Sequence, residues 1–419
     1  MSTADVPVIS AELDAWLRET RRYLHMHPEL SLEEANTARL VAGHLRELGI
    51  EHRPGVGGDG RSLFMSAAAL EAAGIVPGPT TGGNGVVALL HGRGQGRTVL
   101  IRADMDALPI DEQNQTDYRS TRSGVMHACG HDVHTTILLG VAEILAGMRD
   151  QFDGTVKLMF QPAEEGPGGA VAMIHDRVLD DPPVDAALAL HVAADYRAGQ
   201  IGVGAGAAYA AADTVKIVVK GVGGHAARPH AAVDATLVGA QILVALQTIV
   251  SREIDPQDTA VITFGTLHAG TANNVIPDTA ILQGTVRTYT PEVRDHIERR
   301  IAEVASGVAR SMRAEATTTY LRGYPSMRND PALTELVRGA AREVLGPDNV
   351  FDREPSMAGE DLAFIAQQVP TCMFSLGVAD PARGIIYPPH HPQFDADEDA
   401  LAVGVRVMVA AALRYLAEA

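Results

Sequence analysis

Cysteine and aromatic residues are both scarce in this chain of 419 residues. Its two cysteines, Cys129 and Cys372, lie far apart, which argues against a disulfide framework and for a reducing compartment, the cytoplasm. Cys372 lies in a short apolar run, and we expect it to be a small buried hydrophobe. Aromatic residues make up 4% of the chain, too few for the stacking platforms on which proteins hold nucleic-acid bases.

Positive charge is also in short supply. Lys and Arg total 34 against 52 Asp and Glu, a formal net charge of −18. Phosphate backbones and anionic lipids would be repelled, so we expect neither a nucleic-acid nor a membrane partner. No run approaches the roughly 20 apolar residues of a membrane span. Residues 1–10 have neither the basic region nor the apolar core of a signal peptide. A small anionic substrate remains compatible with the charge, because a local arginine can outweigh it.

The order of apolar patterns predicts an α/β fold with a mostly parallel sheet flanked by helices. Ser31 to Glu34 read as a capping box that begins the second helix. The further expected elements are strands at 86–90, 98–101, 155–160, 185–191 and 372–377, and helices at 10–25, 132–148, 169–176, 331–344 and 397–417.

The pattern changes between residues 211 and 323. Strand, helix, strand, strand, helix and strand follow one another there, which is the order of a ferredoxin-like α+β domain. A chain of this length is also too long for one ordinary core. We therefore expect a discontinuous catalytic domain of residues 1–210 and 324–419, with residues 211–323 inserted as a second domain.

The densest cluster of reactive side chains lies at residues 127–134. It contains His127, Cys129, His131, Asp132 and His134, and it leads into an apolar helix pattern. Three interpretations compete for it: a metal site, a nucleophilic cysteine beside a histidine base, or a polar helix start without chemistry.

Other candidate ligands follow the predicted strands, where α/β sheets collect their ligands. The set comprises Asp104, Asp106, Glu164, Glu165, His191 and His390. A catalytic thiol would leave most of these side chains without a role. Thiolate, imidazole and carboxylate together suit zinc or another divalent first-row metal, and their number exceeds the needs of one tetrahedral site. The residues thus favour two metals, with one of the adjacent glutamates ligating and the other handling a proton.

Several motifs, in order along almost the whole chain, resemble those of the dimetal amidohydrolases. These belong with the aminoacylases and metallo-carboxypeptidases, in the branch of hippurate hydrolases and auxin–amino acid conjugate hydrolases. The motifs that carry the resemblance are RADMDALP at 102–109, MHACGHDVH at 126–134, QPAEEG at 161–166, LHV at 190–192, GGHAARPH at 223–230, NNVIPD at 273–278, GTVRT at 284–288 and GED at 359–361.

The resemblance implies a role for each of these positions. Its metal ligands are Cys129, His131, Glu165, His191 and His390, the last in preference to its neighbour His391. Glu164 is implied as the general base, Asp106 as the carboxylate that orients a ligand, and His225, Asn274, Arg287 and Gly359 as the substrate and oxyanion contacts. His225 is expected to reach across a dimer formed by the inserted domain.

The function implied is hydrolysis of the amide bond of N-acyl or N-aroyl amino acids, hippurate-like compounds, by metal-activated water. Manganese, zinc, nickel and cobalt are the candidate metals, and the thiolate favours zinc. Deacetylation of N-acetyl amino acids or N-acetyl-diaminopimelate and cleavage of dipeptides are the alternative activities. A non-catalytic metal-binding scaffold is a more remote alternative. Residues 57–80 look longer than is usual at this place, and we expect a lid or a partner contact there.

Overall fold

The structure is a computed structural model that describes residues 8–418. The first seven residues, where we expected no signal peptide, lie outside this range. Within it the helices are α1 (Ala11–Met26), α2 (Ala35–Glu47), α3 (Arg61–Phe64), α4 (Ala67–Ala73), α5 (His131–Ala146), α6 (Gly169–His175), α7 (Ala235–Thr248), α8 (Pro291–Ser311), α9 (Pro331–Leu345), α10 (Ala363–Ala366) and α11 (Asp399–Ala417). The strands are β1 (Glu51–Val56), β2 (Gly85–His91), β3 (Thr98–Asp104), β4 (Thr155–Gln161), β5 (Ala186–Arg197), β6 (Ile201–Gly202), β7 (Gly206–Tyr209), β8 (Ala211–Lys220), β9 (Gly224–His225), β10 (Ala260–Ala269), β11 (Val275–Ile276), β12 (Thr279–Thr288), β13 (Glu315–Leu321), β14 (Met327–Asn329), β15 (Val350–Phe351) and β16 (Thr371–Ala379).

The larger sheet has the order β1-β2-β4-β3-β5-β16-β6-β15. Its four central strands, β4, β3, β5 and β16, run parallel, and antiparallel strands flank them. Every residue of β3, β4 and β16 is buried, because helices cover both faces. Along β3, Val99 and Ile101 join the core under α1, α5 and α11, whereas Leu100 joins the core under α6 and α10. The expected α/β fold with a mostly parallel sheet is confirmed.

The second sheet is wholly antiparallel, in the order β10-β12-β8-β13. Along β8, Val215, Ile217 and Val219 are buried while the residues between them are partly exposed, so one face of this sheet is covered. The covering helices are α7 and α8, whose apolar residues share a core with β8. This is the expected ferredoxin-like arrangement. The chain passes between the two sheets through β7 and β14, which pair with each other.

Two helices in the described range are long and apolar enough to cross a membrane by length and composition. They are α11 and the helix Ala235–Glu253, which is α7 extended by a π-helical turn. Both pack in cores: 67% of the apolar window of α11 is buried, and Val238, Ile242 and Leu246 of α7 lie in the second core. Only 33% of the window in Ala235–Glu253 is buried, so this helix also presents an apolar outer face.

The predicted capping box at Ser31 is wrong. Helix α2 begins four residues later, at Ala35, and its first amides are bound by another carboxylate. Glu29 accepts hydrogen bonds from the backbone N–H of Asn36 and of Thr37. Glu29, which lies before the helix, therefore binds the first amides of α2 in place of Ser31. The Ser31 side chain is left to bind another group.

Candidate metal centre

The five predicted metal ligands converge on one site, although they come from separate parts of the chain. Cys129 Sγ lies 3.5 Å from His191 Nε2. Glu165 Oε1 lies 3.3 Å from His390 Nε2 and 3.9 Å from His131 Nε2. The spacing of the ligands in the sequence therefore translates into proximity at one edge of the larger sheet.

Backbone geometry holds the two ligands of the 127–134 segment in place. His131 is the first residue of α5, and Gly130 before it has φ 81°. A Cβ on Gly130 would lie 2.5 Å from Val192 Cγ2, so only glycine fits this turn. His390 is itself left-handed, with φ 69°, and its N–H donates to the carbonyl of Ala128, 2.7 Å away.

The ligand atoms form two overlapping groups. Cys129, His131 and His191 make one, and Cys129, Glu165 and His390 make the other, with all atoms of a group within 4.8 Å of one another. Both groups contain Cys129, and together these five residues would hold the cations. His131 Nε2 and Glu165 Oε1 are buried in this centre without a hydrogen-bond partner. Buried polar atoms without partners are rare, and here they fit a site built to receive cations.

Electrostatics at Cys129 argue against a nucleophilic role. Burial, together with Glu165, Glu164 and Asp104, raises the pKa of the Cys129 thiol well above its usual value. Activated cysteines show the opposite shift. Burial and the nearby His134 lower the pKa of His191 well below its usual value, so its imidazole is neutral, as ligation requires.

Asp106 binds four groups of the site at once. Its Oδ1 accepts from the backbone N–H of Glu164 at 3.1 Å and lies 3.2 Å from His131 Nδ1. Its Oδ2 accepts from the N–H of Glu165 at 3.0 Å and from the Ser31 hydroxyl at 2.6 Å. One carboxylate thus fixes His131 and both glutamates relative to each other, and Ser31 supports it.

Glu164 is buried beside the ligands His131 and Glu165, and it also belongs to a second group of carboxylates. Its side chain lies with those of Glu360 and Asp361 in a buried triad whose oxygens are within 4.8 Å of one another. Burial and these neighbours raise the pKa of Glu164 well above its usual value. Burial also raises the pKa of Asp361 to about 8, although Arg102 opposes the rise. A carboxylate with a raised pKa is suited to proton transfer near neutral pH.

Two of the remaining polar residues of the 127–134 segment, His134 and Asp132, bind protein groups. His134 Nδ1 lies 2.6 Å from Asp104 Oδ1, and Asp132 is paired with the buried Arg21. Both ring nitrogens of His127 lack a partner among the described residues, and burial lowers its pKa to about 4. His391, next to His390, stacks on Tyr387 with its ring centroid 4.2 Å away.

A cavity of about 750 Å³ opens over the ligands. Of the four predicted substrate contacts, Arg287 and Gly359 line it. His225 and Asn274 do not. They lie next to each other on the exposed two-stranded ribbon formed by β9 and β11, where the Ala226 N–H donates to the Asn274 carbonyl.

Tyr324 is a site residue that the motifs did not reveal. Its hydroxyl donates to the Glu164 carbonyl at 2.6 Å and accepts from the N–H groups of Gly166 and Gly168. It therefore holds the loop that carries both glutamates. No repeated pattern surrounds this tyrosine in the sequence, and only its position after the inserted segment, in Gly323-Tyr324-Pro325, marked it.

The segment 57–80 packs against the loop that carries Glu164 and Glu165. Gly60 N–H donates to the Pro167 carbonyl, and the Phe64 ring lies 5.7 Å from that of Tyr324. None of its residues lines the cavity over the ligands. The expected lid is therefore wrong for this cavity, because the segment packs against the base of the glutamate loop.

Comparisons with known proteins agree with this centre. The profile described as peptidase family M20/M25/M40 matches residues 100–414. The chain is 39% identical over 411 residues to the putative amidohydrolase YhaA of Bacillus subtilis, covering 97% of each protein. It is 38% identical to the N-acetyl-L-cysteine deacetylase of the same organism, covering 94% of this chain and 87% of the relative.

A solved structure supports the same conclusion for the fold and the metal. The YXEP protein of Bacillus subtilis, described as a dinuclear metal binding peptidase from the M20 family, superposes with a TM-score of 0.80. The two are 32% identical, and the match covers 98% of this chain and all of that one (100%).

Proposed function

This chain belongs to peptidase family M20/M25/M40 and is a hydrolase with a metal-dependent, peptidase-type fold. From that premise we propose that it hydrolyses the amide bond of N-acyl or N-aroyl amino acids, using two divalent metal ions. The observation that carries the proposal is the buried Glu164 carboxylate beside two ligand groups that share Cys129. A metal-binding scaffold would have no use for such a base.

Each step of the proposed reaction is assigned to a particular group of the site. When bound, the two metal ions would polarise the amide carbonyl and make water a better nucleophile at neutral pH. Glu164 takes the proton of the attacking water and returns it to the nitrogen of the leaving amine. Asp106 fixes the positions of Glu164 and Glu165 by accepting hydrogen bonds from their backbone N–H groups. Arg287 on the cavity wall binds the carboxylate of the amino acid.

Deacetylation of N-acetyl amino acids is the second candidate. It is favoured by the 38% identity to an enzyme named for that reaction on N-acetyl-cysteine. The chemistry at the centre is the same for both candidates, and they differ in the acyl group that the cavity admits. Dipeptide cleavage is the further alternative, and it would require the cavity to accept a free amino group.

We also propose that residues 211–323 form a separate domain that joins two subunits, with residues 1–210 and 324–419 as the catalytic domain. Its outer helix α7 exposes Leu237 by 52% and Val244 by 67% on one side. These residues are seven apart and share a face of the helix. The adjacent strand β10 is an edge strand with one side unpaired. Dimerisation would cover both.

The direct test is turnover by protein loaded with manganese, zinc, nickel or cobalt in turn. Hippurate, N-acetyl amino acids and dipeptides are the substrates, and release of the free amino acid is the readout. We expect hydrolysis of the N-acyl compounds with at least one metal. Glu164→Gln should abolish turnover while the metal content measured by elemental analysis stays near that of the wild type.

The matched control is Glu71→Gln, which removes an exposed carboxylate far from the centre. It should retain both activity and metal. Substantial turnover by Glu164→Gln would show that another group is the base. A metal-loaded protein that is inert on the whole panel would overturn the proposed activity.

A further inference from the structure

Arg353 is a second arginine on the wall of the cavity over the metal ligands. It follows β15, in the loop that leads to Gly359 and Glu360. Its guanidinium carbon lies 4.4 Å from the centroid of the Tyr209 ring, and the Tyr209 ring lies 6.4 Å from that of His191. One aromatic ring therefore separates this cation from a metal-ligand imidazole.

Arg353 has almost no partners of its own. Its one hydrogen bond among the described residues is a long contact of 3.4 Å to the Ala208 carbonyl, and the neighbouring Asp352 carboxylate pairs with Arg338 instead. Arg287 is in the same state, since within residues 8–418 it donates only to Thr285 Oγ1 and the Val286 carbonyl. Two guanidinium groups on the wall of one cavity therefore have N–H donors without an acceptor among the described residues.

Arginines that are fully buried in the described part of the chain are paired with carboxylates, whereas half-buried ones such as Arg149 and Arg406 are not always paired. Arg102 binds Asp104, Glu360 and Asp361, and Arg294 binds Asp213. With 52 acidic residues against 34 basic ones, carboxylates are plentiful. Two unpaired arginines in one cavity of such a chain are best explained by anions that arrive with a ligand.

The two arginines reach the cavity from different parts of the fold. Arg287 comes from β12 of the second sheet, and Arg353 comes from the loop after β15 of the larger sheet. The acidic residues on the rim, Asp195 and Glu354, are exposed and do not pair with Arg353.

We propose that Arg353 and Arg287 each bind one anionic group of the same substrate, so that the preferred substrates are N-acyl amino acids with a second carboxylate. The inference rests on the proposed amide hydrolysis and narrows its substrate class. A cavity of about 750 Å³ accommodates such a molecule with its amide over the metal ligands. The second carboxylate is either on the amino acid side chain or at the far end of the acyl group.

Pairs of substrates that differ only in this charge distinguish the two sources. N-benzoyl-glutamate against N-benzoyl-glutamine tests the side chain, and N-succinyl-leucine against its terminal amide tests the acyl group. We expect kcat/KM of the wild type to favour the dianion of at least one pair by about tenfold or more, the value of a charge-assisted hydrogen bond. Arg353→Gln should reduce that ratio to near one, and Arg353→Lys should give an intermediate ratio.

Arg328→Gln is the control, because Arg328 is exposed, unpaired and outside this cavity. It should leave the ratio unchanged. Equal rates on both members of both pairs, or a ratio that survives in Arg353→Gln, would overturn the inference while leaving the amide hydrolysis standing.

Binding gives a readout that does not depend on turnover. Calorimetry on metal-loaded Glu164→Gln protein should show tighter binding of the dianion than of its neutral partner, and Arg353→Gln in that background should remove the difference. Equal affinities would overturn the inference even if no amide is hydrolysed. Failure of all hydrolysis with a retained affinity difference would overturn the proposed function alone.

Discussion

Asp106 is the residue that connects the metal ligands with the proposed base. The four groups that it binds are the amides of Glu164 and Glu165, the His131 ring and the Ser31 hydroxyl. In Asp106→Asn, one oxygen becomes an NH₂ group that faces N–H or O–H donors. We expect metal affinity to fall by roughly 10- to 100-fold, with a parallel loss of kcat/KM.

Metal content after dialysis against limiting metal, measured by elemental analysis, tests this expectation. The control Asp117→Asn alters an exposed carboxylate and should bind metal as the wild type does. Unchanged affinity in Asp106→Asn would mean that the His131 ring is oriented by other groups.

His25 carries a pH dependence of stability. Burial and Arg21 act to lower its pKa, but the Asp132 carboxylate, 2.8 Å from its Nδ1, and Glu112 raise the pKa to about 9. The unfolded chain has an ordinary histidine pKa of about 6.5. Between these two values the folded state holds a proton that the unfolded state has lost. The stabilisation is therefore complete below about pH 6.5 and is lost as the pH rises toward 9.

His25→Gln should remove this term. The free energy of unfolding of the wild type should decline by about 1.4 kcal/mol more per pH unit over that window than that of the variant, which corresponds to one proton. Urea unfolding at a series of pH values, at fixed metal concentration, measures the two slopes. His175→Gln, at a side chain that is 51% exposed, should keep the wild-type slope. Parallel slopes for wild type and His25→Gln would refute the shift.

At the scale of elements, the conformation of the loop between β4 and α6 determines the positions of Glu164 and Glu165. Gly169 at its end approaches so closely that a Cβ would lie 1.7 Å from the Pro162 carbonyl oxygen. Tyr324 satisfies one carbonyl and two N–H groups of the loop, and Phe64 packs on Tyr324. The loop thus depends on contacts from the segment 57–80 and from the chain that leaves the second sheet.

Tyr324→Phe should loosen this loop without leaving a cavity. Three backbone groups of the loop would lose their partner, so we expect a loss of about 1–3 kcal/mol in the free energy of unfolding. kcat should fall as well, because Glu164 would no longer be held. Chemical denaturation and steady-state kinetics measure the two effects, and Tyr23→Phe, at a residue 48% exposed, is the control. A variant with wild-type kcat would show that Asp106 alone positions the glutamates.

Regular elements were easier to predict than the contacts between them. Helix and strand periods located β4 and α6 to within one residue at each end, and the ligand motifs located the cluster of candidate metal ligands. Strand β1 was missed because Pro54 and Gly55 interrupt its pattern, yet it pairs with β2 at the sheet edge. Strand β5 continues to Arg197 beyond the predicted end at His191, since its later residues pair with β16. Tyr324 acts through partners that are distant in the sequence, and no local pattern records such contacts.

At the scale of the whole molecule, two of the four predicted substrate contacts lie outside the cavity. Arg287 and Gly359 line the cavity, whereas His225 and Asn274 lie outside it, on the ribbon formed by β9 and β11. Helix α7, with exposed Leu237 and Val244, and the edge strand β10 offer a surface for a second copy. A two-fold dimer through this surface would let the ribbon of one subunit approach the cavity of the other.

Complementation between two inactive variants tests this arrangement. A heterodimer of Glu164→Gln and His225→Ala subunits, co-expressed with different tags and purified through both, has one cavity with its own intact Glu164 and an intact His225 from its neighbour. If His225 acts across the dimer, kcat should recover to roughly half that of the wild type, because one of two equivalent sites is restored. The separately purified parents, combined without subunit exchange, are the control. A heterodimer no more active than that control would place the action of His225 within its own chain, and a monomer in sedimentation would remove the shared site altogether.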